Sequence, residues 1–86
     1  MARNRKPSNV VGPVIQTIRY SKGLTQEQLA ARCQLAGLDI SRSTLAQIES
    51  QLRCVTDLEM FLFARVLKVT TDQLFPKELP RPKSRK

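Results

Sequence analysis

The 86-residue chain contains no histidine and only two cysteines. Cys33 and Cys54 form no CxxC pair and have no imidazole to join them. No metal is therefore expected, and the two thiols read as small buried hydrophobes of a reducing compartment. Glycine is scarce, with three residues, and no glycine-rich phosphate loop is present. Carboxylates do not pair at a fixed helical spacing either. These gaps leave no place for a reaction, so an enzyme is not expected and neither a cofactor nor a small-molecule substrate is implied. No apolar run approaches the roughly 18 residues of a membrane span. No apolar segment follows the basic N-terminus, as a secretory signal requires. The expectation is a cytoplasmic protein with no membrane partner. The common hairpin dipeptides are missing, and no segment alternates like a strand.

What the chain has in excess is positive charge, +8 in all, and it is unevenly placed. Arg3, Arg5 and Lys6 crowd the start, and Lys77, Arg81, Lys83, Arg85 and Lys86 crowd the end against Glu78. The middle, residues 7–76, is almost neutral, with seven basic and six acidic side chains. The pattern divides the chain into a basic N-terminal arm (1–9), one small domain (10–76) and a basic C-terminal tail (77–86), both ends flexible. Basic tails attract nucleic acid without choosing a sequence. Selectivity has to come from the middle.

There, one device marks the helix starts. In "LTQEQL", Thr25 caps, Gln28 closes a capping box, and Leu24 and Leu29 form a hydrophobic staple. In "VTDLEM" the same four roles fall to Thr56, Glu59, Val55 and Met60, and in "VTTDQL" to Thr70, Gln73, Val69 and Leu74. In "ISRSTL", Ser41 caps and Ile40 and Leu45 staple, with Thr44 in place of Glu or Gln. Pro13 and Gly23 suit the two ends of an earlier helix. The fold class is all-α, with five helices at roughly 13–22, 26–36, 42–50, 57–68 and 71–75.

Helical spacing sorts their faces. Val14, Ile15 and Ile18 point inward from the first helix, and Leu29, Ala30, Cys33 and Ala36 from the second. The fourth carries Met60, Phe63, Ala64 and Leu67 as one stripe and adds Leu58, Phe61 and Leu62, an apolar arc wide enough for a central core helix or for a second partner. In the third, Leu45 and Ile48 anchor one arc, with Thr44, Ser41 and Glu49 beside them. The opposite arc holds Arg42, Ser43, Ala46, Gln47 and Ser50. Short side chains let a helix lie close to another surface, and Arg and Gln offer planar bidentate groups matched to guanine and adenine edges. The helix alone leaves two readings open, a groove-reading face and an indifferent solvent face.

Taken together, "GLTQEQLA", "ISRSTLAQIE" and "LKVTTDQLF" resemble the helix-turn-helix domains of the phage-repressor, Cro and Xre-like family over roughly residues 12–75. The resemblance implies a compact five-helix, lambda-repressor-like domain with double-stranded DNA as partner, helix 2 across the backbone and helix 3 in the major groove. By matched position, Arg42, Ser43 and Gln47 fall where the family reads bases. Gln26 falls where the family often contacts phosphate and Thr44 where it can touch backbone or base, and Ser41 and Arg53 are expected to join Gln26 and Thr44 on the DNA backbone. Arg19 and Glu49 fall where some members place an ion pair between helices 1 and 3. The family also commonly binds as a homodimer.

The chain departs from the family pattern twice. "ARCQLAGLDI" lengthens the turn before Ser41, with Gly37 suited to a left-handed cap and Leu38 to folding back on Cys33. "SQLRCVT" lacks the frequent Gly and Pro after helix 3. The function expected is a sequence-specific transcriptional regulator. Its rivals are an antitoxin-like protein-interaction module, using the wide apolar arc of helix 4, and a nonspecific basic nucleic-acid binder.

Overall fold

Three of the four α-helices begin at a side-chain cap, and the first begins with Pro13 in its first turn. A computed structural model describes residues 6–77 and places α1 at Gly12–Ser21, α2 at Gln26–Leu35, α3 at Arg42–Glu49 and α4 at Asp57–Leu67. Thr25 and Thr56 both form complete capping boxes: each hydroxyl accepts the amide three residues on, and Gln28 or Glu59 accepts the cap's own amide in return. Ser41 caps α3 through the Thr44 amide at 3.1 Å, and Thr44 closes no box. Such caps satisfy helix-start donors that have no partner within the helix, each worth about 1 kcal/mol.

The expected fifth helix at 71–75 is instead a 3₁₀ turn, Asp72–Leu74, so the described residues hold four α-helices and one short turn. Its box does form: Gln73 accepts the Thr70 amide at 2.9 Å and donates its own amide to the Thr70 hydroxyl at 3.3 Å. Propagation fails because Pro76 follows. A residue before proline is pushed out of the helical region, and Phe75 is extended, with φ −89° and ψ 147°. The basic residues from Glu78 onward and before Lys6 lie outside the described residues. Among the described residues no helix is long and apolar enough to cross a membrane.

The helices close around one core. Ile15, Leu29, Leu45, Ile48, Phe63, Leu67 and Leu74 are completely buried, with Cys33 among them. Burying an aliphatic or aromatic side chain of this size stabilises by about 1.5–3 kcal/mol. The third helix packs on both α1 and α2, and α4 packs on α2. Along α4, Phe63, Ala64 and Leu67 enter the core and Met60, Leu62 and Val66 are half-buried against it. Leu58 and Phe61 are left uncovered. The wide apolar arc therefore serves the core on one side and faces outward on the other.

The lengthened turn between α2 and α3 is held at both ends. Gly37 takes φ 98°, the Leu38 amide returns to the Cys33 carbonyl at 2.8 Å, and Leu38 is buried. This is the left-handed cap the sequence suggested. Gln34 Nε2 then donates to the Ile40 carbonyl at 2.7 Å, and Ile40 is buried too. Two expectations fail here and beyond. Ala36, placed on the inner face of the second helix, is exposed, because the backbone leaves the helix at that residue. Cys33 is buried, and burial pushes its thiol up to about 11. Cys54, in contrast, is exposed on the loop before α4.

That loop is braced by Arg53, whose Nη1 and Nη2 donate to the two Glu59 oxygens at 3.1 and 2.8 Å. The bidentate hydrogen bond to Arg53 holds the Glu59 carboxyl below its ordinary value, and the Thr56 amide of the capping box adds to the effect. Folded Glu59 thus binds its proton less readily than the unfolded chain does. The stability it contributes is present above the unfolded value near 4.5 and is lost as pH falls through the lower folded value. Arg53 is a third exposed, which keeps the effect at about 1 kcal/mol or less. Urea unfolding of wild type and Glu59→Gln should differ at pH 7, and the gap should close as pH falls below the unfolded value and through the lower folded one. A stability gap independent of pH would mean the pair contributes nothing.

Candidate nucleic-acid interface

The two faces of α3 are built differently. Leu45, Ile48 and Glu49 are buried, Thr44 and Ala46 are half-buried, and Arg42, Ser43, Gln47 and Ser50 are exposed. The short α3 could roll about its axis if only Leu45 and Ile48 held it. A charge pair prevents that. Arg19 Nε donates to Glu49 Oε2 at 2.7 Å and Nη2 donates to Oε1 at 2.9 Å. Nη1 donates to the Leu24 carbonyl at 2.9 Å. The fork is therefore used on three sides, at 4 % exposure for Arg19 and 6 % for Glu49. The hydrogen bonds to Glu49 outweigh desolvation and raise the Arg19 pKa, so the guanidinium stays charged. Its plane also lies over the Tyr20 ring, 4.5 Å from the centroid.

Gln26 joins the same network. Its Nε2 donates to Glu49 Oε1 at 3.0 Å, so the first residue of α2 is tied to the last residue of α3. The capping box occupies the Thr25 and Gln28 amides, which leaves the Gln26 and Glu27 amides as the unpaired start of the helix. An open cleft of about 530 Å³ lies there, lined by Arg19, Tyr20, Thr25, Gln26, Glu27 and Arg42. Arg42 on α3 and the positive end of α2 thus face one space, a setting that favours an anion, with the Glu27 carboxylate the one opposing charge on its wall.

The other residues named from the sequence divide in two. Ser43 and Gln47 stand with Arg42 on the outer face of α3. Ser41 sits at the cap, its hydroxyl 3.2 Å from both the Ser43 and Thr44 hydroxyls. Arg53 is not beside them in sequence or helix, and its guanidinium is engaged by Glu59 and by the Cys54 carbonyl at 3.0 Å. Any phosphate contact from Arg53 has to use the N–H groups left over. Sequence reasoning missed the Gln26 bond to Glu49, the Arg53–Glu59 pair and a set of hydrogen bonds made by Asn9 at the end of α3. An i, i+6 Arg–Glu spacing across a helix start carries no periodic signal, and Asn9 announces only a turn.

The sequence profile of the helix-turn-helix family HTH_3 matches residues 15–74. The restriction-modification controller protein C.AhdI from Aeromonas hydrophila has a similar structure. It is 32% identical over 76% of this chain and 87% of that chain, with a TM-score of 0.65. A hypothetical transcription factor, NHTF from Neisseria, has the same fold at 23% identity, with 87% of each chain covered and a TM-score of 0.66. No curated protein sequence matches the chain.

The buried pair predicts strong coupling. Arg19→Met or Glu49→Gln alone should cost about 3–5 kcal/mol, since each strands a buried polar partner, while the double variant should cost clearly less than the two together. Thermal or urea unfolding of the four proteins measures this. Additive losses would show that the contact carries no net energy.

Proposed function

The chain belongs to the helix-turn-helix family of Cro- and Xre-like DNA-binding transcription regulators, and from that membership we propose that it recognises a specific double-stranded operator with α3 in the major groove. The observation that carries this reading is the outer face of α3. Arg42, Ser43 and Gln47 are exposed there, while the opposite face is locked by a buried ion pair. Arg and Gln supply the bidentate groups that discriminate guanine and adenine, and Ser43 is short enough to let the helix approach. Gln26, Ser41, Thr44 and Arg53 act on the sugar-phosphate backbone, with the start of α2 adding its amides. The similarity to a restriction-modification controller protein supports a regulatory task. The arms at 1–9 and 77–86 add affinity without sequence choice, as their charge implies, and the cytoplasm is the compartment that fits a DNA-binding regulator.

The working unit in this reading is a homodimer, because one small domain reads only a few base pairs. Its interface is the uncovered side of α4, where Leu58 and Phe61 are 62% and 49% exposed, together with the segment through Phe75. Half-sites would lie about 34–36 Å apart, one helical turn.

Selection of bound duplexes from a random pool should enrich one motif. On that motif, Gln47→Ala should lose roughly 1–3 kcal/mol and leave scrambled DNA nearly unaffected. Arg42→Lys keeps the charge but not the fork, and should lose discrimination in the same way. Removing residues 77–86 should instead weaken both duplexes by similar factors and flatten the salt dependence. An unchanged operator-to-scrambled ratio in both α3 variants would exclude α3 as the reader. For assembly, sedimentation should give two chains per operator, and Phe61→Glu should shift free protein to monomer. One chain on every high-affinity site would rule the dimer out.

A further inference from the structure

The end of α3 carries a hydrogen-bonded tether that neither the core nor the DNA face requires. Asn9 lies before α1, in a segment that composition reads as part of the basic arm. Its Nδ2 donates to the Ile48 carbonyl at 3.0 Å and to the Arg53 carbonyl at 2.8 Å. Its Oδ1 accepts the Gly12 amide at 2.8 Å. Its backbone carbonyl accepts Gln51 Nε2 at 2.9 Å, and the Ser8 amide donates to the Gln51 carbonyl at 3.0 Å. One short side chain thus joins the start of α1, the last turn of α3 and the loop that follows. Only asparagine has this pattern at this length. Aspartate lacks the two donors, serine lacks the reach, and glutamine is one methylene too long.

Two backbone features show that the junction is specified. A Cβ on Gly12 would fall on the Ile48 carbonyl oxygen, so α1 meets the end of α3 backbone to backbone. Gln51 takes φ 64°, a left-handed conformation in which glycine is unstrained and a side chain is not. The Leu52 amide returns to the Gln47 carbonyl at 2.8 Å, closing the helix at that residue. A glutamine in a glycine-type position costs backbone energy, and here its side chain is used on Asn9. The tether grips Ile48, the residue next to Gln47 on the outer face.

We propose that Asn9, with Gln51, is a positioning residue for DNA recognition: it sets the angle of α3 at its C-terminal end, as Arg19 and Glu49 set its rotation. The proposal rests on the reading of α3 as the base-reading helix. Arg19 holds the last turn of α3 through the Glu49 side chain, whereas Asn9 holds its backbone at the neighbouring Ile48 carbonyl. Asn9 supplies a second point from the opposite end of α1. Because Asn9 is uncharged, its loss removes no phosphate attraction, and the effect falls on discrimination.

The test titrates wild type, Asn9→Ala and Gln51→Gly against the selected operator and a scrambled duplex, well below each protein's melting temperature. Asn9→Ala should lower the operator-to-scrambled ratio about tenfold, the equivalent of one misplaced base contact, with scrambled affinity unchanged. Gln51→Gly removes one bond of the tether while relaxing the left-handed backbone. It should hold or raise the melting temperature and still lower the ratio about threefold. A purely structural role would instead move the ratio only where stability falls. If Asn9→Ala does not fold, Gln51→Gly decides alone. A wild-type ratio in a folded variant overturns the proposal while leaving α3 as the reader. A wild-type chain that does not discriminate at all overturns that reading and the proposal with it.

Discussion

The domain depends on one buried charge pair. Arg19 and Glu49 lie where α1, α2 and α3 converge, and each is almost wholly out of water. Desolvating two such groups is costly, and the cost is offset only when their hydrogen-bonding capacity is used. Here it is: Arg19 serves both Glu49 oxygens and the Leu24 carbonyl, and Glu49 also accepts from Gln26. A hydrophobic contact in that place would stabilise without direction. The fork of a guanidinium on a carboxylate fixes angle as well as distance, and so fixes which side of α3 meets solvent.

The outer face follows from that constraint. With Leu45, Ile48 and Glu49 held inward, the helical period leaves Arg42, Ser43 and Gln47 outward. The Gln26 bond brings the start of α2 into register with α3, so the two helices are joined through a carboxylate that also holds α1. The longer turn between them does not loosen the arrangement. Gly37 reverses the chain, and Leu38 and Ile40 insert into the core, so the added residues are anchored at both ends. Charge and planar polar groups are also kept apart along the sequence, with the charge concentrated near the termini and Arg42 and Gln47 on one nearly neutral helix.

Much of this was legible in the residues. Capping boxes are local, spanning four residues, and those at Thr25 and Thr56 formed as written. The box at Thr70 formed as well, yet its helix did not, because Pro76 limits Phe75 and a nucleus without room to propagate stays a 3₁₀ turn. The Arg19–Glu49 pair was reached through resemblance to a family, since nothing in the spacing of two residues thirty apart announces contact. Cys54 was misjudged for a related reason. Hydrophobic character alone does not say whether a loop residue turns inward.

By itself the sequence determined the four α-helices, three of their caps, most of their buried stripes and the location of the charge, because each depends on neighbours within one or two turns. The tertiary structure decided what depends on distant backbone. It set Asn9 against the carbonyls of Ile48 and Arg53, turned Gln51 into a left-handed cap, paired Arg53 with Glu59, and left Leu58 and Phe61 uncovered on α4. A carbonyl oxygen is common to every residue and carries no sequence signature. Only the folded chain reveals which of them a side chain such as Asn9 will find.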